Sequence, residues 1–258
     1  MMIRVLRNVE RYYSIPLLLL VWQAAVGSGL VESRLLPSLI RISSVLVTDT
    51  VNGLLPYHTA ITLGRAAIGF MFAAIAGVPF AAAMARSEII RNLFEPIFFF
   101  GYPVPKIAFF PVFTYIFGIG SPSKIAFAFL ECVYPIVVTA YLGFRAIPQS
   151  LIWAGENMGA PNSTIIRRIV LPAAMPGIFT GLRIALPVAI IVIVLTEMIG
   201  DSKGLGYYIA VSGTRFQYAN VYAAILVIGT CGFILDRALL LLRDKSIYWQ
   251  REETAAGL

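Results

Sequence analysis

Apolar residues in this chain fall in long runs rather than in the short alternations of a water-soluble fold. Uncharged stretches cover about 12–31, the interval between Arg65 and Arg86, and the interval between Arg215 and Asp236. Three further runs, about 93–118, 124–144 and 176–199, are apolar but each holds an ionisable side chain. A helix crossing a bilayer needs about 20 apolar residues, so the pattern predicts about six spans. The connections are polar and punctuated: RSEIIRN, GIGSPSK, GDSKGLG, the 145–168 segment and a charged tail. Residues 32–57, with Asn52-Gly53 and Pro56, read as an extracytoplasmic connection with a short surface helix.

Composition agrees. Of 258 residues, 59% are hydrophobic and 13% charged, where a soluble domain carries roughly 25% charged residues. The mean hydropathy is +0.84. The fold class is therefore all-α integral membrane, with residues 1–258 as a single domain. A cleaved signal peptide is the rival reading of the first run, because AAVGSG follows it. A retained span is preferred, since no large soluble domain follows. The net charge of +7 fits positively charged cytoplasmic loops better than nucleic-acid binding. With six spans both termini share a side. That side carries Arg4, Arg7, Arg11, Arg86, Arg91, Arg145, Arg167, Arg168, Arg243, Lys245 and Arg251, against Arg34, Arg41, Lys124, Lys203 and Arg215 opposite. The excess puts both termini and the 145–168 segment in the cytoplasm.

The third run contains Pro96, Pro103, Pro105 and Pro111 beside Lys106. Carbonyls freed by so many prolines need protein or water partners, so this helix is expected to be internal and to line a pathway. The second run is rich in Ala and Gly, which lets helices approach closely. Cys132 and Cys231 lie in apolar stretches and read as packing residues; a lone His58 excludes a His-rich metal site. No phosphate-binding loop, Gly-rich nucleotide motif or zincin pattern is present in the sequence.

The segment 145–172 breaks the apolar pattern most sharply. Pro148 suits a helix start and Gly159 its end. Leu151, Gly155 and Met158 share one face, and Gln149, Trp153 and Glu156 another. After Gly159-Ala160-Pro161, the trio Asn162-Ser163-Thr164 is expected to cap a second helix that carries Arg167 and Arg168 and stops near Leu171-Pro172. A stiff interfacial loop with arginines at lipid headgroups satisfies the same pattern.

These residues resemble the permease subunits of binding-protein-dependent ABC importers. The signature of that family runs Glu-Ala-Ala, three residues, Gly, nine residues, Ile, one residue, Leu-Pro. Gly159, Ile169, Leu171 and Pro172 stand at those intervals. EPIFFFGYPVPKIAFFPVFTYIFGIGSPSK, LPAAMPGIFTGLRIAL and EMIGDSKGLGYYI extend the resemblance over about residues 60–245. It is nearest to the nitrate/sulfonate/taurine/bicarbonate subfamily. The triplet departs: Trp153, Ala154 and Gly155 stand where Glu-Ala-Ala is expected, with Glu156 three residues past Trp153.

The resemblance implies a type I importer permease fold, in which 145–172 is an ATPase-coupling segment built from Leu151, Trp153, Ala154, Gly155, Glu156, Gly159, Ala160, Ile169, Leu171 and Pro172. It implies a multi-pass protein of a prokaryotic inner membrane. The implied partners are two cytosolic ABC ATPases, a second permease subunit (a homodimer or a heterodimer), a periplasmic or lipid-anchored solute-binding protein and the bilayer, with no nucleic acid. ATP and Mg²⁺ would bind the ATPases, leaving this chain without a cofactor or catalysis of its own. The implied solute is a small anion, with a vitamin precursor or other small organic compound as the alternative. Candidate pathway residues are Tyr102, Lys106, Phe109, Phe113, Glu131 and Glu197. For Lys106 the alternatives are attraction of an anionic solute and a snorkelling interfacial lysine; Glu131 is expected to pair with a base, and Glu197 to hydrogen-bond near the external gate. A stand-alone ion-coupled transporter would predict inverted repeats or an acidic relay, neither of which the sequence shows.

Overall fold

The computed structural model describes residues 13–29, 31–32, 35–101 and 103–250, and these are helical almost throughout. In chain order the helices are α1 Ser14–Gly27, α2 Leu39–Val51, α3 Leu54–Arg86, α4 Glu88–Gly101, α5 Phe110–Phe117, α6 Ser121–Arg145, α7 Gln149–Asn157, α8 Asn162–Met198, α9 Leu205–Thr214 and α10 Tyr218–Ser246. A 3₁₀ turn, Lys106–Phe109, leads into α5.

Four helices, α3, α6, α8 and α10, are long and apolar enough to cross a membrane. The third expected span is broken: α4 and the Lys106–Phe117 element meet at 99°. Pro103 and Pro105 remove two donors at the break, and neither residue can sit in the middle of a helix without losing a bond. The helix expected to be internal leaves Ile97, Phe100, Tyr115 and Ile116 uncovered in the single chain, while its Phe98, Phe110 and Phe113 pack onto α6. The first expected span differs too. Its described helix, α1, has 14 residues, about 21 Å long at 1.5 Å per residue, short of the bilayer core. Its Trp22 indole donates to the Pro37 carbonyl at 3.1 Å, and its Gln23 side chain accepts from the Leu39 amide at 3.1 Å, which ties α1 to the start of α2.

The core is α3, α6 and α8, packed through small residues. Gly69, Ala73, Gly77 and Ala81 recur every fourth position of α3 and are all buried. A Cβ at Gly69 would come within 2.8 Å of the Ala128 Cβ on α6. On the other side of α6, Gly143 and Gly177 of α8 bring two backbones together, and a Cβ at Gly177 would sit 2.7 Å from the Gly143 Cα. In lipid no hydrophobic force draws helices together, so close packing of this kind supplies the contact energy.

The second helix of the polar segment does not stop at Leu171-Pro172. It continues without interruption through Met198. Pro172 has no amide hydrogen for the Arg168 carbonyl and its ring would collide with it. The backbone instead widens into a π-helical turn, Ile166–Val170, in which the Leu171 amide donates to the Ile166 carbonyl. Nor do Asn162, Ser163 and Thr164 act as side-chain caps; Pro161 is the N-cap, and its carbonyl accepts from Thr164 and Ile165 at 2.8 and 3.1 Å.

Candidate functional site: the polar segment and the buried charges

The turn between α7 and α8 is a Schellman closure. The Ala160 amide donates to the Gly155 carbonyl at 3.1 Å, the Gly159 amide donates to Glu156 at 2.9 Å, and Gly159 takes φ +72°. That left-handed conformation costs an L side chain, which explains glycine at the position. Gly155 is the buried residue of α7. A Cβ there would lie 2.9 Å from the Ile169 Cδ1 and 3.3 Å from Ile165, so α7 rests directly on the first turns of α8. Ile169 therefore holds α7 rather than facing solvent.

Away from that contact, α7 leaves apolar side chains open. Trp153 is 57% and Met158 84% exposed, with Leu151, Ala154 and Glu156 also exposed. Leu171 is exposed, while Ala160 and Pro172 are half-buried. Large apolar side chains left open outside the spans are costly in water.

At the far end of the core, four charges are buried together. Glu197 is wholly buried and accepts from Arg65 at 2.8 Å, the Thr62 hydroxyl at 2.7 Å and the Gly206 amide at 3.1 Å. Arg65 also meets Asp201 at 2.8 Å and donates to Ser121 at 2.9 Å, and Lys124 pairs with Asp201 at 3.1 Å. Two cations and two carboxylates thus balance. Burial raises the Asp201 carboxyl, but the Ser202 amide, Lys124 and Arg65 outweigh it and hold it below its ordinary range. The Leu205 amide donates to Thr62 at 2.8 Å, and the Gly204 amide to His58 Nδ1 at 3.0 Å. The cluster therefore clamps the start of α9 onto α3. Tyr208 of α9 reaches Asp49 of α2, and Asn220 joins them.

The membrane components of binding-protein-dependent transport systems form a family whose model matches residues 69–246 of this chain. The chain belongs to that family. It is 30% identical over 93% of its length to the taurine transport system permease protein TauC of Escherichia coli (strain K12), covering 89% of that protein. It is 28% identical over 89% of its length to the putative aliphatic sulfonates transport permease protein SsuC of Bacillus subtilis (strain 168), covering 83% of it. A solved structure of the MetNI methionine ABC transporter, in an inward-facing conformation, superposes with a TM-score of 0.58 at 22% identity, covering 74% of this chain and 98% of that one. The fold is that of a type I importer permease, and the chain is a multi-pass membrane subunit of an ABC importer.

In this importer subunit the candidate pathway residues divide. Tyr102 lies outside the described residues. Lys106 meets Glu131 at 3.8 Å, and its ammonium lies 4.5 Å from the Tyr134 ring centroid. Phe109 points outward, whereas Phe113 packs on Phe127 with centroids 5.3 Å apart. Glu197 is in the buried cluster, apart from the Lys106–Glu131 pair. A second intramembrane pair joins Arg183 of α8 to Asp236 of α10 by two bonds, 2.9 and 3.3 Å. Its side chains are 51% and 31% exposed.

Sequence reasoning used Arg65 as a span boundary and Lys124 as a boundary and a loop charge, and gave Asp201 no role. The available signal was charge balance: Glu197 and Asp201 stand four residues apart, and two cations head neighbouring runs.

Proposed function

We propose that this permease subunit couples a separate ATPase to the membrane through α7. The carrying observation is the joint at Gly155. There α7 is locked to Ile165 and Ile169 of a helix that runs unbroken to Met198, so a displacement of α7 is a displacement of a membrane span. Trp153 and Met158 seat in an apolar groove of the ATPase, with Trp153 taking the place of the family's acidic residue. Each of two permease copies engages one cytosolic ATPase, which binds ATP and Mg²⁺; this chain supplies no catalysis and holds no cofactor. ATP-driven closure of the ATPases draws the two α7 helices together and turns the pathway outward, and hydrolysis resets it. Residues 1–258 act as one domain, with the coupling segment 145–172 and both termini on the cytoplasmic side. A binding protein delivers the solute from the other side.

The solute is a small anion, with sulfonates such as taurine foremost given the relatives. Two ion pairs support a pathway along α4–α6 and along α8 and α10. Arg183 lies twelve residues beyond Leu171 and fifteen before Met198, about 18 and 22 Å along the helix, hence near mid-membrane. Half-exposed charges at that depth are too costly to face lipid and must face water or a second subunit.

Co-purification tests the coupling. Trp153→Asp is expected to abolish retention of the partner ATPase while leaving the permease folded in the membrane. Retention and uptake at wild-type levels would overturn the assignment of α7 as the docking helix.

A further inference from the structure

A cavity of about 580 Å³ opens between the end of α3, the end of α6 and the coupling segment. Its lining includes the apolar Val78 and Ala82 of α3, eight and four residues inside Arg86, together with Arg86, Arg145, Glu156 and Val170 nearer the coupling segment. Arg86 is exposed and makes no hydrogen bond or ion pair with another described residue. Arg145 is exposed too; it donates to the Tyr141 hydroxyl at 3.2 Å and meets no carboxylate within ion-pair distance among the described residues. From Arg86 to Val78 is eight residues, about 12 Å along the helix. The cavity therefore runs from a basic rim at the ends of two spans into the depth where acyl chains begin.

We infer that this cavity binds an anionic phospholipid, with the headgroup phosphate between Arg86 and Arg145 and an acyl chain over Val78 and Ala82. A bare anion would leave the apolar lining uncovered, and a neutral lipid would leave two guanidinium groups unmatched. Glu156 opposes the phosphate, and the two arginines outweigh it. Because the lipid touches α3, α6 and the coupling segment at once, it braces α7 against the core. The inference needs only that α3, α6 and α8 cross the membrane, and it is independent of the ATPase and of the solute.

The test uses the purified full chain in detergent, melted against increasing short-chain phosphatidylglycerol, phosphatidylcholine or inorganic phosphate. Phosphatidylglycerol is expected to raise the melting temperature, and the other two are not. In Arg86→Gln/Arg145→Gln the concentration needed should rise roughly twenty-five-fold, about fivefold per arginine near a charged lipid surface. Ala82→Phe, which fills the apolar part of the cavity and keeps both arginines, should also lose the response; Arg167→Gln/Arg168→Gln should keep it. A double variant too unstable to melt cooperatively leaves the decision to Ala82→Phe. An equal response to phosphatidylcholine or to phosphate, an unchanged response in either cavity variant, or an equal loss in the Arg167/Arg168 variant would overturn the site.

Discussion

Replacing Glu197 by Ala removes a carboxylate that holds three partners at once: Arg65, the Thr62 hydroxyl and the Gly206 amide. What remains is two buried cations against the single carboxylate of Asp201. Removing one partner of a buried pair costs about 3–5 kcal/mol, because the other charge stays desolvated. The Gly206 amide, left without an acceptor, adds to that, while Arg65 retains Asp201 and Ser121 and limits the loss. At 2–4 °C per kcal/mol for a chain of this size, the melting temperature should fall by about 6–20 °C. The assay is thermal unfolding of the purified chain in detergent, with Glu197→Gln as the milder variant, since an amide oxygen still accepts from Gly206. The partner of the same test is Arg65→Met with Glu197→Met. Removing both charges should destabilise less than Glu197→Ala alone, as apolar substitution of a whole buried pair is often neutral. A Glu197→Ala chain melting within 2 °C of wild type would refute the claim that these charges share one buried cluster.

Three further outcomes follow from the same structure. Gly155→Val places atoms against Ile169 Cδ1 at the α7–α8 joint; ATPase binding should survive while transport per ATP hydrolysed falls severalfold, measured in proteoliposomes. Gly69→Leu overpacks the α3–α6 contact, where even a Cβ lies 2.8 Å from Ala128, and should cost about 1–3 kcal/mol in thermal unfolding, or more if the helices separate. The depressed Asp201 carboxyl contributes stability that is fully present above the unfolded value of about 3.9 and is lost as pH falls through the lower folded value. Wild type should therefore lose melting temperature more steeply than Asp201→Asn as pH falls below about 4.

The long spans were legible because lipid demands uninterrupted apolar helices, and Arg86 and Arg145 mark the ends of α3 and α6 as the charge pattern predicted. The helix and turn of the polar segment were legible through Pro148 and Gly159, whose backbone preferences act locally. The run of α8 through Pro172 was not, because a π-turn gives no composition signal. The bend at Pro103 and Pro105 could be expected, but not its angle. Helix α9 was not anticipated: GDSKGLG reads as a turn and the next uncharged run begins after Arg215, and ten residues are too few to show a period. The charge cluster was hidden for a different reason. Arg65 and Lys124 look like solvent-facing boundaries until tertiary pairing with Glu197 and Asp201 makes burial affordable.

The central claim, that α7 and α8 move as one lever driven by the ATPase, is tested most directly by pulsed electron paramagnetic resonance. Spin labels at Asn157→Cys on both permease copies, with Cys132 and Cys231 replaced by Ala, report the separation of the two α7 helices in the assembled importer. A second label pair, at Arg168→Cys on α8, reports the adjoining span. With ATP and vanadate both distances should shorten together. A shortening at Asn157 with none at Arg168, or no change at either while ATP is hydrolysed, would contradict the account.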